Sequence, residues 1–144
     1  MKKAIKFFKI IVDTNIWISF LIGKSLSRLQ YYIDSRSILI VTCDEQIQEL
    51  ITVFKKPKIQ KYFTDDQVMD FLELLYESSE KVVLKTKVDL CRDLKDNYLL
   101  SLALDSKADF LITGDNDLLV LGNIENTDIM KFNDFEIFLM KHSF

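Results

Sequence analysis

The feature that most constrains this chain is a set of short apolar runs that do not alternate with polar residues. They are Lys9-Ile10-Ile11-Val12, Ser37-Ile38-Leu39-Ile40-Val41, Val82-Val83-Leu84 and the stretch from Ala108 to Thr113. A strand with one wet face would alternate, whereas runs like these suit strands buried on both faces, as in a parallel sheet. Asp128 to Lys131 reads as a short fifth strand. Between the runs the spacing becomes helical. Asn15 to Leu21 starts a helix, and Gly23 separates it from a second over Lys24–Ser35, with Leu26, Leu29, Tyr32 and Ile33 on one face. Ile47, Leu50, Ile51 and Phe54 share a face up to Lys56-Pro57, and Thr42-Cys43-Asp44-Glu45 before them predicts a capping box. Helices are also expected over Asp65–Ser78, capped by Thr64, over Asp93–Ser106 and over Asn133–Lys141.

Strands that alternate with helices predict a parallel α/β sheet covered on both faces. Three glycines and one proline argue against a turn-rich all-β sandwich, and 49% hydrophobic residues suffice for a real core. No repeat, linker or low-complexity segment divides the chain, so one domain over 1–144 is expected. Cys43 and Cys91 stand apart and His142 is the lone histidine, near the C-terminus, which excludes a zinc site of the usual kind. The same cysteines, without a signal peptide, lead to the expectation of reduced thiols in a cytoplasm. No run reaches the roughly 18 apolar residues of a membrane span, so no membrane association is expected.

In an open parallel sheet, ligands bind at the carboxyl ends of the strands. The residues there are acids. Asp13 follows the first run, in Val12-Asp13-Thr14-Asn15, and Asp115 follows the fourth, in Thr113-Gly114-Asp115-Asn116-Asp117. Asp93 and Asp96 open the helix that leads into the fourth strand, and Glu45 and Glu49 lie on the helix after the second. Each has a plainer reading. Asp13 could cap the next helix, as could Asp115 or Asp117, and one of Asp93 and Asp96 belongs to a cap, which we assign to Asp93. Glu45 and Glu49 share a helix face, where a solvated acid is the usual role. Taken together, carboxylates that converge on one crevice would repel and be driven toward protonation. A hard cation such as Mg²⁺ or Mn²⁺ removes that conflict and activates water against a phosphodiester. GxGxxG, GxxxxGK[ST] and GxSxG are all absent, which excludes the common dinucleotide, P-loop and hydrolase sites. A phosphate-transfer Asp-x-Asp is absent too, because Asn15 stands at its second position.

Ile11-Val12-Asp13-Thr14-Asn15, Glu49-Leu50, Arg92-Asp93-Leu94-Lys95-Asp96-Asn97 and Thr113-Gly114-Asp115-Asn116-Asp117-Leu118-Leu119 resemble, in order and spacing, the motifs of PIN-domain (PilT N-terminus-like) ribonucleases. The likeness is strongest to the bacterial and archaeal branch of toxin–antitoxin toxins, which Phe54-Lys55-Lys56-Pro57-Lys58 also resembles. The resemblance implies a three-layer α/β/α sandwich with a central parallel sheet of four to five strands. It implies a Mg²⁺- or Mn²⁺-dependent endoribonuclease with Asp13, Glu49, Asp96 and Asp115 as metal ligands. Asp117 matches an additional acid, and Thr14, Asn15 and Thr113 match small polar residues that orient Asp13 and bound water. An RNA-processing nuclease without a toxin role, or a non-catalytic binding module on the same fold, are the alternatives.

A net charge of −3 does not advertise a polyanion partner, so phosphate contacts must be local. Arg92 and Lys95, beside Asp96, are the first candidates, and Lys55 and Lys56, in a basic stretch that runs on through Lys58 and Lys61, come next. The resemblance further implies an antitoxin protein as partner. The apolar faces at Trp17-Ile18-Phe20-Leu21 and Phe71-Leu72-Leu75 could receive it, or a second copy in a homodimer, or belong to the core.

Overall fold

The computed structural model describes residues 7–90 and 94–142, with the side chains of residues 94 and 95 left out. Its elements follow in the order β1 (Phe8–Val12), α1 (Thr14–Ile22), α2 (Leu26–Asp34), β2 (Ile38–Thr42), α3 (Asp44–Phe54), α4 (Pro57–Gln60), α5 (Asp65–Ser78) and β3 (Ser79–Lys81). Then come α6 (Leu94–Ser106), β4 (Phe110–Ile112), α7 (Asn116–Leu119), β5 (Asn123–Ile124), β6 (Thr127–Met130) and α8 (Phe132–Lys141).

The strands form a six-stranded sheet in the order β3-β2-β1-β4-β6-β5. All neighbours are parallel except β5, which runs antiparallel to β6. The chain builds outward from β1 through β2 to β3 and then returns to β4 on the other side of β1. The direction of winding therefore reverses between β1 and β4, which is where open α/β sheets place their binding crevice.

Side-chain alternation along the strands divides the core in two and proves the three layers. Ile10 and Val12 of β1, Ile40 of β2 and Phe110 and Ile112 of β4 join Trp17, Phe20, Leu29, Leu50, Phe71 and Phe135 on one face. Ile11, Val41 and Leu111, between them in sequence, join Leu99, Leu100, Leu102, Ala103 and Leu118 of α6 and α7 on the other. The fold is thus an α/β/α sandwich, as the PIN resemblance implied. Trp17, Ile18, Phe20, Phe71 and Leu75 are all buried in the first layer, so the apolar faces considered for a partner belong to the core. No helix among the described residues is long and apolar enough to cross a membrane.

The structure departs from the sequence reading at three places. The sheet has six strands rather than four to five, because β5 and β6 form a hairpin at its edge. The third strand lies at Ser79–Lys81, before the apolar run Val82-Val83-Leu84. Val82 donates one last backbone bond to Thr42 at 2.9 Å, where β2 ends and the ladder stops with it. Val82 and Leu84 then pack against the second layer while Val83 is 78% exposed. Finally, Thr42 caps nothing. It belongs to β2, and the α3 N-cap is Cys43, whose side chain makes no capping bond. Thr64 does cap α5 as expected, and it does so through a full capping box with Gln67.

Candidate metal centre

β1 and β4 pair in parallel with Val12 opposite Ile112, so Asp13 and Thr113 emerge side by side at their carboxyl ends. Asp13 is 6% exposed and caps α1 by accepting the Asn15 N–H on Oδ1 at 3.3 Å. Its other oxygen accepts the Thr113 hydroxyl at 2.7 Å. That hydroxyl oxygen in turn accepts the Asp115 N–H at 3.0 Å, and Asp115, capping α7, accepts the Asp117 N–H at 2.8 Å. The cap reading and the ligand reading of Asp13 and Asp115 are therefore compatible, because a carboxylate oxygen that accepts one hydrogen bond keeps a second lone pair for a cation.

Burial pushes the Asp13 carboxyl above the usual carboxylate range. The bonds from Thr113 and Asn15 oppose this, while the charges of Glu49 and Asp115 push it further up. Asp13 thus senses acids from α3 and from the turn after β4. The tightest grouping among the described residues is Asp96, Asp115 and Asp117, each offering a carboxylate oxygen within 4.8 Å of the others. Asp96 comes from the first turn of α6 and is buried. Asp93 lies outside the described residues.

Glu49 separates from Glu45 in three dimensions. Glu45 is exposed near Asp44, Gln48 and the Val82–Leu84 segment. Glu49, one turn on, is half-buried and accepts the Tyr98 hydroxyl on Oε1 at 2.7 Å. Tyr98 Oη also lies 3.3 Å from Thr14 Oγ1. With its hydroxyl hydrogen donated toward Glu49, the phenol oxygen is the acceptor toward Thr14.

Sequence reasoning missed Tyr98 and Gln46. Gln46 is fully buried, accepts the Thr42 hydroxyl at 2.6 Å and donates to the Val12 carbonyl at 2.5 Å. It ties the first turn of α3 to the last residue of β1, one turn before Glu49. A glutamine inside an otherwise apolar helical stripe was the available signal. Tyr98 stands two residues after Asp96, where it reads as one more apolar position.

Three of the cations in the described residues can be placed. Lys55 and Lys56 follow the last turn of α3 and are exposed, about 9 Å along the helix axis beyond Glu49. Arg28 is paired with Glu136 and stacks over Phe132 at 5.0 Å. Arg92, Cys91 and the Lys95 side chain lie outside the described residues. Cys43 is buried, its thiol pushed up to about 12, so it is no nucleophile. The His142 ring is stacked on Phe138, away from the acids.

Among the described residues the grouped donors suit a hard divalent cation: carboxylate oxygens, with no sulfur or imidazole beside them.

The protein is an α/β/α sandwich with acids gathered at its switch point. Residues 9–117 match the PIN domain family, and the chain belongs to it. Its members are typically nucleases that bind divalent metals, and the matched stretch holds Asp13, Glu49, Asp96, Asp115 and Asp117. The chain is also 28% identical over 132 residues to an uncharacterized protein of Methanocaldococcus jannaschii, covering 90% of this chain and 83% of that one. No solved structure matches.

Proposed function

We propose that the protein is a Mg²⁺- or Mn²⁺-dependent endoribonuclease, with Asp13, Glu49, Asp96 and Asp115 as metal ligands and Asp117 as an accompanying acid. The observation that carries this reading is the convergence itself. Asp96, Asp115 and Asp117 crowd within 4.8 Å, and Glu49 and Asp115 both act on the buried Asp13. Such crowding is costly without a cation and useful with one. When bound, the ion lowers the pKa of water and stabilises charge on a phosphodiester.

The chain's own groups do the rest. The Thr113 hydroxyl holds Asp13 in one rotamer, and the Asn15 N–H fixes its second oxygen. Asp115 and Asp117 share one turn, so the Thr113 link sets all three together. Lys55, Lys56, Arg92 and Lys95 are the proposed phosphate contacts, with the first pair reaching RNA that extends beyond the crevice.

Labelled RNA incubated with Mn²⁺ or Mg²⁺ tests the reading. Cleavage by the wild type and its loss in Asp13→Asn is the expected result, and equal activity in the two sinks it. A toxin role, with an antitoxin protein as partner and a cytoplasmic homodimer as the working form, extends the same reading. Growth arrest on expression, relieved by the product of an adjacent short gene, is its test. Cleavage without arrest would leave an RNA-processing nuclease.

A further inference from the structure

Resting on the metal-site reading above, we propose that Tyr98 is a positioning residue for Glu49, clamping one carboxylate oxygen so that the other is presented to the divalent cation. Glu49 stands on α3, Thr14 on α1 and Tyr98 on α6, and the phenol oxygen touches the first two at once. The 2.7 Å bond to Glu49 Oε1 occupies one oxygen, and it is the only side-chain bond to that carboxylate among the described residues.

A glutamate has three rotatable side-chain bonds, and holding it in one geometry costs side-chain entropy. A ligand fixed beforehand binds a cation more tightly than one that must be fixed on binding. Asp13 and Asp115 are short side chains: the Thr113 hydroxyl and its own helix cap hold Asp13, and its cap on the Asp117 N–H holds Asp115. Glu49 sits within a helix, has no cap to hold it and carries the longer side chain. Tyr98 supplies for it what Thr113 supplies for Asp13: a neutral donor that orients the carboxylate without cancelling its charge. A phenylalanine would pack the ring equally well, so packing alone does not account for the hydroxyl between two polar partners.

The test compares Mn²⁺ affinity by titration calorimetry, without RNA, in the full-length wild type, Tyr98→Phe, Glu49→Gln and the double variant. The metal-free melting midpoint of each reports the fold separately. Tyr98→Phe should weaken Mn²⁺ binding roughly tenfold, as loss of an outer-shell partner does, with circular dichroism unchanged. In the Glu49→Gln background the same change should add almost nothing, because the two act as one unit. Thr14→Val, which removes the hydroxyl's other contact, should weaken binding less and in the same Glu49-dependent way. Additive effects of Tyr98→Phe and Glu49→Gln would mean that Tyr98 acts on the fold alone, and would overturn the proposal. So would unchanged affinity in Tyr98→Phe beside a weakened Glu49→Gln, which leaves the metal site standing. Unchanged affinity in Glu49→Gln removes Glu49 from the ligand set and the proposal with it. A wild type that binds no Mn²⁺ removes the metal reading as a whole.

Discussion

The interior layers and the rim at the strand carboxyl ends obey opposite rules. In the layers, Phe135, Leu99 and Leu111 are buried among apolar neighbours and contribute stability by leaving water. At the rim, Asp13, Thr42, Gln46, Asp96 and Thr113 are equally buried but polar. Polar groups in that position cost stability unless they are bonded, and like charges cost more. The contrast teaches that the chain places its least favourable burial beside its winding reversal, the place where a ligand can repay it. Truncation in a layer should therefore destabilise, while neutralising a rim acid should stabilise the fold and abolish function.

The largest effect should come from a layer. Phe135→Ala should lose about 3–5 kcal/mol in denaturant unfolding, with a residual cavity; a loss under about 1 kcal/mol would break the contrast. At the rim, Asp115→Asn should lower RNA cleavage by roughly a hundredfold, equivalent to about 2.7 kcal/mol of barrier, with the melting midpoint held or raised. Asp13→Asn should stabilise the metal-free protein at neutral pH by about 1 kcal/mol, because asparagine still caps a helix and carries no buried charge. The sign follows from the raised carboxyl of Asp13. Between the usual value of 3.8 and its raised folded value, the native state holds the proton more tightly than the unfolded one. Stability from this group therefore falls as pH rises through that window. The gap between Asp13→Asn and wild type should be widest at neutral pH and close on acidification, as thermal melts would show. A gap that widens toward acid would reverse the assignment. Smallest of all, Glu45→Gln should leave cleavage within about twofold of wild type, as surface changes do. A loss like that of Glu49→Gln would mean the wrong glutamate has been chosen.

Much of the layered fold was legible because buried strands and amphipathic helices write their environment into periodicity. Ile10, Ile11 and Val12 declare a strand covered on both faces, and the two core layers show why. Asp13 and Asp115 were legible as strand-end acids. What escaped were features fixed by distant partners. β5 is two residues long and closes through Glu125, in the left-handed region at φ 49°, so neither period nor an Asn-Gly turn marks it. β3 ends where β2 runs out, so Val82-Val83-Leu84, the more strand-like triplet, lies beyond the ladder. Tyr98 and Gln46 look like ordinary helix positions until Glu49, Thr14 and Val12 are brought to them. Separating Glu49 from Glu45 likewise required the third dimension.

The Thr113–Asp13 hydrogen bond joins residues 100 positions apart, and β1 obtains its β4 partner across a similar interval. During synthesis the chain leaves the ribosome N-terminus first. β1 through β3 can pair early, but Asp13 then waits at an open flank of the half-built sheet. The crevice assembles only after the segment through Asp117 has emerged. A nascent chain that has not yet released the segment through Asp117 would thus hold part of the acid set and no completed crevice, so the order of translation itself delays assembly of the site.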